Sequence, residues 1–150
     1  MTRQLVLIRH AKAVQGGSSD AKRPLADRGR SDAAALGRWL VARGVTPDRV
    51  VISPSRRTRQ TWELAGTASP IIDERIYDNT VEDLLEIVHE TPDDVQTLVL
   101  VGHNPSMGEL AATFDPTLRE FPTSATAIVE VDDWAAAPSG TLLARTVPRG

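Results

Sequence analysis

The sequence predicts an α/β fold: a three-layer αβα sandwich with a mostly parallel central sheet flanked by helices. Three observations carry this. Short apolar runs, LVLI at 5–8, VVI at 50–52 and TLVLV at 97–101, alternate with stretches whose apolar residues recur at helical spacing. Runs that are apolar on both sides are those of parallel strands covered on two faces. The chain has 150 residues, the length of one domain with a sizeable core, so residues 1–150 are read as a single domain.

Each element has its own signal. Residues 4–9 form a buried strand. QGGSSDAKRP at 15–24 is a loop by its Gly, Ser, Asp and Pro content. Ala33, Leu36 and Leu40 then mark a helix, and Gly44 closes it. Val50 to Ile52 is the second strand. Ser53 and Pro54 read as an N-cap and first-turn pair for a helix towards Gly66. Residues 70–73 are a short strand. Thr80 and Asp83 resemble a capping box, ahead of an apolar stripe of Leu84, Leu85 and Val88 that ends before Pro92. Residues 97–101 are the strongest strand, and Asn104 with Pro105 looks like another cap pair. Residues 125–131 and 141–146 are two more strands, and 147–150 a frayed tail.

Composition narrows the function. A net charge of −3 and a pI near 5.6 argue against a general nucleic-acid binder, which carries a basic face. There is no cysteine, hence no disulfide, thiolate metal site or cysteine nucleophile. No segment has the length of a membrane span, and the four apolar residues after Gln4 are too few for a signal peptide. A cytoplasmic protein without membrane or nucleic-acid partners is expected.

Two of the three histidines stand just past the ends of the two most strand-like runs, His10 after Arg9 and His103 after Gly102. In open α/β sheets, ligands bind beyond the carboxyl ends of the strands. If these strands are neighbours, Arg9, His10, His103 and the arginines after Ser53 meet in one crevice. Arg9 and one of Arg56, Arg57 or Arg59 can fork onto phosphate oxygens, and helix N-termini after Ser53 and Asn104 favour an anion. The natural ligand is a phosphoryl group. A neutral imidazole beside it is a nucleophile that forms an N-phosphoryl intermediate, and a second imidazole can stabilise charge or donate a proton.

His89, between acidic residues of a helix, reads as a solvated surface histidine. Trp39 and Trp62 read as helix-to-sheet packing. Arg28 and Arg30 face solvent, and Lys12 at most widens the positive field. With no H-x-H or H-E-x-x-H pattern, no metal or cofactor is expected.

LIRHAKA, RPLADRGR, SPSRRTRQT and LVLVGHNP resemble, in order, the successive motifs of the histidine phosphatase superfamily, and most closely its short bacterial SixA-like phosphohistidine phosphatases. The resemblance implies that His10 is the phosphorylated nucleophile, that Arg9 and Arg57 bind the phosphoryl group, and that His103 is the second catalytic histidine. It makes Arg56 and Arg59 neighbours and places Arg23, in D-x-x-R-P-L, near the mouth of the pocket as a substrate-binding residue. Ala11 stands where many larger relatives carry glycine, and the long lid insertions of those relatives are absent. Their acidic proton donor has no clear match. Asp78, in ERIYD, falls near its position as the possible general acid.

The function expected is a metal-independent phosphatase acting on phosphohistidine of a protein. A small phosphoester such as a sugar or glycerol phosphate is the alternative substrate, and a non-catalytic phosphate-binding module the alternative class. Phosphate, sulfate or vanadate should bind the pocket. A mutase is disfavoured, because holding the phosphoryl group on the enzyme needs a closed, dry site.

Overall fold

The computed structural model describes residues 2–17 and 19–150. Met1 and Ser18, the latter in the expected loop at 15–24, lie outside the described residues. The strands are β1 (Arg3–Arg9), β2 (Arg49–Ile52), β3 (Ile71–Ile72), β4 (Thr97–Gly102), β5 (Thr126–Val131) and β6 (Thr141–Thr146). The helices are α1 (Asp27–Ala42), α2 (Arg56–Ala65), α3 (Val81–His89) and α4 (Ser106–Phe114).

The six strands form one sheet in the order β3-β2-β4-β1-β5-β6. β3, β2, β4 and β1 pair in parallel, while β5 runs antiparallel to both β1 and β6. The sheet is therefore mixed, and its parallel part carries the three strands whose ends were expected to meet.

Period-2 alternation explains the layers. Leu5 and Leu7 of β1 join Leu98 and Leu100 of β4 in a cluster with Leu84, Ile87 and Val88 of α3 and Leu110 and Phe114 of α4. Val6 and Ile8 join Val99 and Val101 in a second cluster with Leu36 and Leu40 of α1 and Trp62 of α2. Leu5 to Ile8 are all fully buried, as a parallel strand with helices on both faces requires. Burial of each such side chain is worth roughly 1.5–3 kcal/mol, so a one-residue slip of β1 would forfeit several contacts at once. Trp39 packs partly buried against this second cluster, so both tryptophans serve packing.

Helix ends follow local chemistry. Gly44 sits at φ +71 after α1, where a side chain would be strained, and its N–H bonds to the Val41 carbonyl. The Thr80–Asp83 capping box is present at α3. Gly29 answers a different need. A Cβ there would lie 2.0 Å from the Lys12 carbonyl oxygen, so only glycine lets α1 approach the segment after β1 this closely.

Three expectations are corrected. The cap of α2 is Ser55, not Ser53: Ser55 Oγ accepts from Thr58 N–H, while the Ser53 hydroxyl is drawn towards His103. Asn104 and Pro105 are not a simple cap pair, since the Asn104 side chain accepts from Gly108 N–H and donates to the Phe121 carbonyl. Residues 147–150 are not a frayed tail. Arg149 donates to the buried Asp32 carboxylate, the Thr123 carbonyl and Ser124 Oγ, and Gly150 N–H donates to Asp32. Among the described residues no helix is long and apolar enough to cross a membrane.

Candidate active site

β2, β4 and β1 are adjacent, so their carboxyl ends deliver Ser53, His103 and His10 to one edge of the sheet. Arg9 is the last residue of β1 and pairs with Gly102 of β4. His10 follows it with its backbone clamped on both sides. Its N–H donates to the Gly102 carbonyl at 3.0 Å, and its carbonyl accepts from Ser124 N–H at 3.0 Å. The two imidazoles lie with ring centroids 5.2 Å apart, tilted by 58°.

The hydrogen bonds fix both tautomers. His10 Nδ1 lies 2.7 Å from the Ala11 carbonyl, which only accepts, so Nδ1 carries the proton and Nε2 keeps a bare lone pair. His10 is 6% exposed, and its pKa falls to about 3, chiefly through burial, with His103, Arg57 and Arg9 adding repulsion. It is a neutral base at physiological pH. His103 Nδ1 accepts from Arg57 Nη2 at 3.2 Å, so its proton sits on Nε2, which donates to Ser53 Oγ at 2.8 Å. Burial, followed by Arg57, lowers the His103 pKa to about 4.

Arg57, in the first turn of α2, is almost wholly buried. Its Nη1 donates to the Asp20 backbone carbonyl at 2.7 Å and its Nη2 to the Asp20 carboxylate at 3.0 Å. Asp20 also accepts from the Tyr77 hydroxyl at 2.6 Å and from Arg23 Nε at 3.1 Å. Its pKa falls to about 2, first through the Tyr77 hydrogen bond and then through Arg57, so it is ionised. The Tyr77 ring meets His103 edge-on at 5.4 Å. Arg9 donates to the Phe121 carbonyl, and among the described residues the buried Nε groups of Arg9 and Arg57 have no hydrogen-bond partner, leaving guanidinium donors for an anion.

Of the residues singled out in the sequence, the fold brings together Arg9, His10, Arg57 and His103, and links Arg23 to them through Asp20. Asp78 is exposed in a left-handed conformation at φ 51, and among the described residues its side chain has no hydrogen bond or ion pair. Its neighbour Tyr77 is the residue that reaches the cluster. His89 is exposed, yet not merely solvated, since its Nε2 meets the Ala137 carbonyl at 2.6 Å. Sequence reasoning missed Asp20 and Tyr77. The available signal was Asp20's place at the head of D-x-x-R-P-L, which read as loop chemistry.

A cavity of about 340 Å³ opens against Arg9 and His10 and continues past Lys12, Arg23, Arg28 and Arg149. Arg28, expected to face solvent, therefore lies on its wall, although its side chain is 66% exposed. Among the described residues no three His, Cys, Asp or Glu side chains are grouped so as to hold a metal ion.

The family model of the histidine phosphatase superfamily (branch 1) matches residues 5–97, which include Arg9, His10 and Arg57. An uncharacterized protein of Mycobacterium tuberculosis, Rv1276c, is 35% identical over 158 residues, spanning 95% of this chain and all of the relative. The phosphohistidine phosphatase SixA of Escherichia coli is 27% identical over 160 residues, spanning 96% of this chain and 99% of the relative. A solved structure of the protein histidine phosphatase SixA complexed with tungstate superposes with a TM-score of 0.85 at 27% identity, covering 97% of each chain.

Proposed function

The chain belongs to the histidine phosphatase superfamily and is a phosphatase, and from that premise we propose that it hydrolyses phosphohistidine on a protein through a phosphoryl group carried on His10. The observation that carries this is the His10 tautomer. Nδ1–H is tied to the Ala11 carbonyl, which leaves Nε2 as a neutral, unprotonated nucleophile. Nε2 attacks phosphorus, the new N–P bond forms, and the substrate's leaving nitrogen departs with the electron pair of the bond that breaks. Water then attacks phosphorus, the His10 N–P bond breaks, and inorganic phosphate leaves. Arg9 and Arg57 balance the charge that spreads over the phosphoryl oxygens. His103 carries its one proton on Nε2, donated to Ser53 Oγ while Nδ1 accepts from Arg57, so it must release Ser53 to hydrogen-bond those oxygens or to protonate the leaving group.

Two features favour phosphohistidine as the substrate. The similar Escherichia coli protein is named a phosphohistidine phosphatase. The site also offers little acid: Asp20 is ionised, and among the described residues the exposed Asp78 side chain has no hydrogen bond or ion pair. An alkoxide needs a well-placed proton donor to leave, whereas a phosphohistidine protonated on its distal ring nitrogen releases a neutral imidazole, whose conjugate acid has a pKa near 6.5. A second reading, a small phosphoester, is favoured by the cavity of about 340 Å³, and in that reading Asp78 is the candidate acid. The deciding experiment compares kcat/KM for a phosphohistidine-bearing protein with that for glycerol phosphate. The phosphohistidine reading requires a clear preference for the former; faster turnover of glycerol phosphate overturns it.

A further inference from the structure

The charge on the cavity wall exceeds what a phosphoryl group needs. A phosphoryl dianion is matched by Arg9 and Arg57 alone, and Arg23 is offset by Asp20. Beyond them the same cavity is lined by Lys12, Arg28 and Arg149, with one carboxylate, Asp32. Among the described residues, three cations against one anion leave an excess of two positive charges on this wall, in a chain whose net charge is −3. Such a concentration repels itself unless an anion joins it.

The wall is also built, not merely charged. Asp32 is 1% exposed and faces Arg149 Nη1 at 3.3 Å and Arg28 Nε at 3.9 Å. Arg149 Nη1 is held further by the Thr123 carbonyl at 3.0 Å, Ser124 Oγ at 2.7 Å and the Pro148 carbonyl at 3.1 Å. Arg149 therefore pays less ordering entropy on binding than a free surface arginine. Among the described residues the Lys12 ammonium has no ion pair or hydrogen bond, and its backbone is fixed where its carbonyl accepts from Ala26 N–H at 2.9 Å.

We propose that Lys12, Arg28 and Arg149 form a second anion subsite, which reads a carboxylate that the substrate carries next to its phosphoryl group. The proposal rests on the phosphoryl group sitting at His10, since the subsite is defined by the cavity that His10 shares. On a protein the carboxylate is an Asp or Glu flanking the phosphohistidine; on a small phosphoester it belongs to the leaving group. The chemistry is the same, a carboxylate one side chain away from phosphorus.

The test separates recognition from turnover. Phenylphosphonate and 3-carboxyphenylphosphonate, neither of which is hydrolysed, are titrated calorimetrically into the wild-type protein and into Lys12→Glu and Arg28→Gln. These variants leave the Asp32–Arg149 pair in place. The carboxylated ligand should bind the wild type about two- to fivefold more tightly than the plain one, the scale of partly exposed ion pairs, and this ratio should fall towards one in Lys12→Glu. A second arm compares kcat/KM for two phosphohistidine peptides that differ only in a Glu or Gln beside the phosphohistidine. An advantage for Glu that Lys12→Glu abolishes assigns the carboxylate to a protein. An advantage confined to the small ligand assigns it to a small phosphoester. No carboxylate preference in either arm overturns the subsite while leaving the phosphatase reading intact. Failure of both phosphonates to bind the wild type contradicts the phosphoryl site at His10, and the subsite with it.

Discussion

Asp20 holds Arg57 from two directions, its backbone carbonyl 2.7 Å from Nη1 and its carboxylate 3.0 Å from Nη2. The guanidinium that should grip a phosphoryl group thus faces an ionised carboxylate first. An incoming anion must displace that carboxylate or share the guanidinium with it. Asp20→Asn keeps the backbone bond and removes the competing charge. Inhibition by inorganic phosphate or vanadate should tighten, by about tenfold, as expected when one charge-assisted hydrogen bond no longer competes. The inhibition constants of the two proteins check this, and weaker inhibition in the variant would assign Asp20 to holding Arg57 in place.

Arg57→Ala should lower kcat/KM by on the order of 10² or more, because the group acts on charge that develops in the transition state. Arg57→Lys should recover little of this. A point-charge ammonium cannot reproduce the fork whose Nη1 meets the Asp20 carbonyl while its Nη2 meets the Asp20 carboxylate and His103. Steady-state kinetics on an aryl phosphate provide the check, and full activity in Arg57→Lys would count against a fork-specific role.

The two histidines make stability pH-dependent with a definite sign. Their folded pKa values lie at about 3 and about 4, against about 6.5 in an unfolded chain. Between these limits the unfolded state binds more protons. Stability is therefore greatest above about pH 6.5 and is lost as pH falls through that window towards 4, by about 1.4 kcal/mol per pH unit for each histidine. Urea unfolding at pH 7.5 and 5.0 reads the slope, which His10→Asn should flatten. NMR signals of both imidazoles should stay unshifted down to about pH 5; a titration near 6.5 for either would contradict their burial as neutral bases.

What the sequence made legible was whatever depends on short-range pattern. The apolar runs before Arg9–His10 and before His103 marked both strands, and the strand order then brought the two imidazoles together. Asp20 was missed for a physical reason. Its partners Arg57 and Tyr77 lie 37 and 57 residues away, and an aspartate beside Gly and Ser looks like turn chemistry. The docking of Arg149 on Asp32 spans 117 residues and was likewise invisible, so the end of the chain read as frayed. Ser53 was assigned a capping role because Ser-Pro is a good helix start; the competing attraction was His103, 50 residues on.

Leaving-group chemistry separates the two substrate readings. Rates should fall steeply with rising leaving-group pKa, from phosphohistidine and aryl phosphates to alkyl phosphates. Asp78→Ala should leave phosphohistidine turnover within about threefold, the range of a surface substitution outside the reacting groups. A collapse of sugar phosphate turnover in Asp78→Ala, with sugar phosphate the best substrate, would make Asp78 the acid and the small-ester reading correct.

His10 Nε2 should become phosphorylated during turnover. The direct measurement is a rapid mix with an aryl phosphate, an alkaline quench to preserve an acid-labile phosphoramidate, and peptide mass spectrometry. Phosphate should appear on the peptide containing His10 during turnover, and neither phosphoenzyme nor product should form from His10→Asn, whose circular dichroism should match the wild type. Turnover retained in His10→Asn, or a phosphoenzyme carried on another residue, would contradict it.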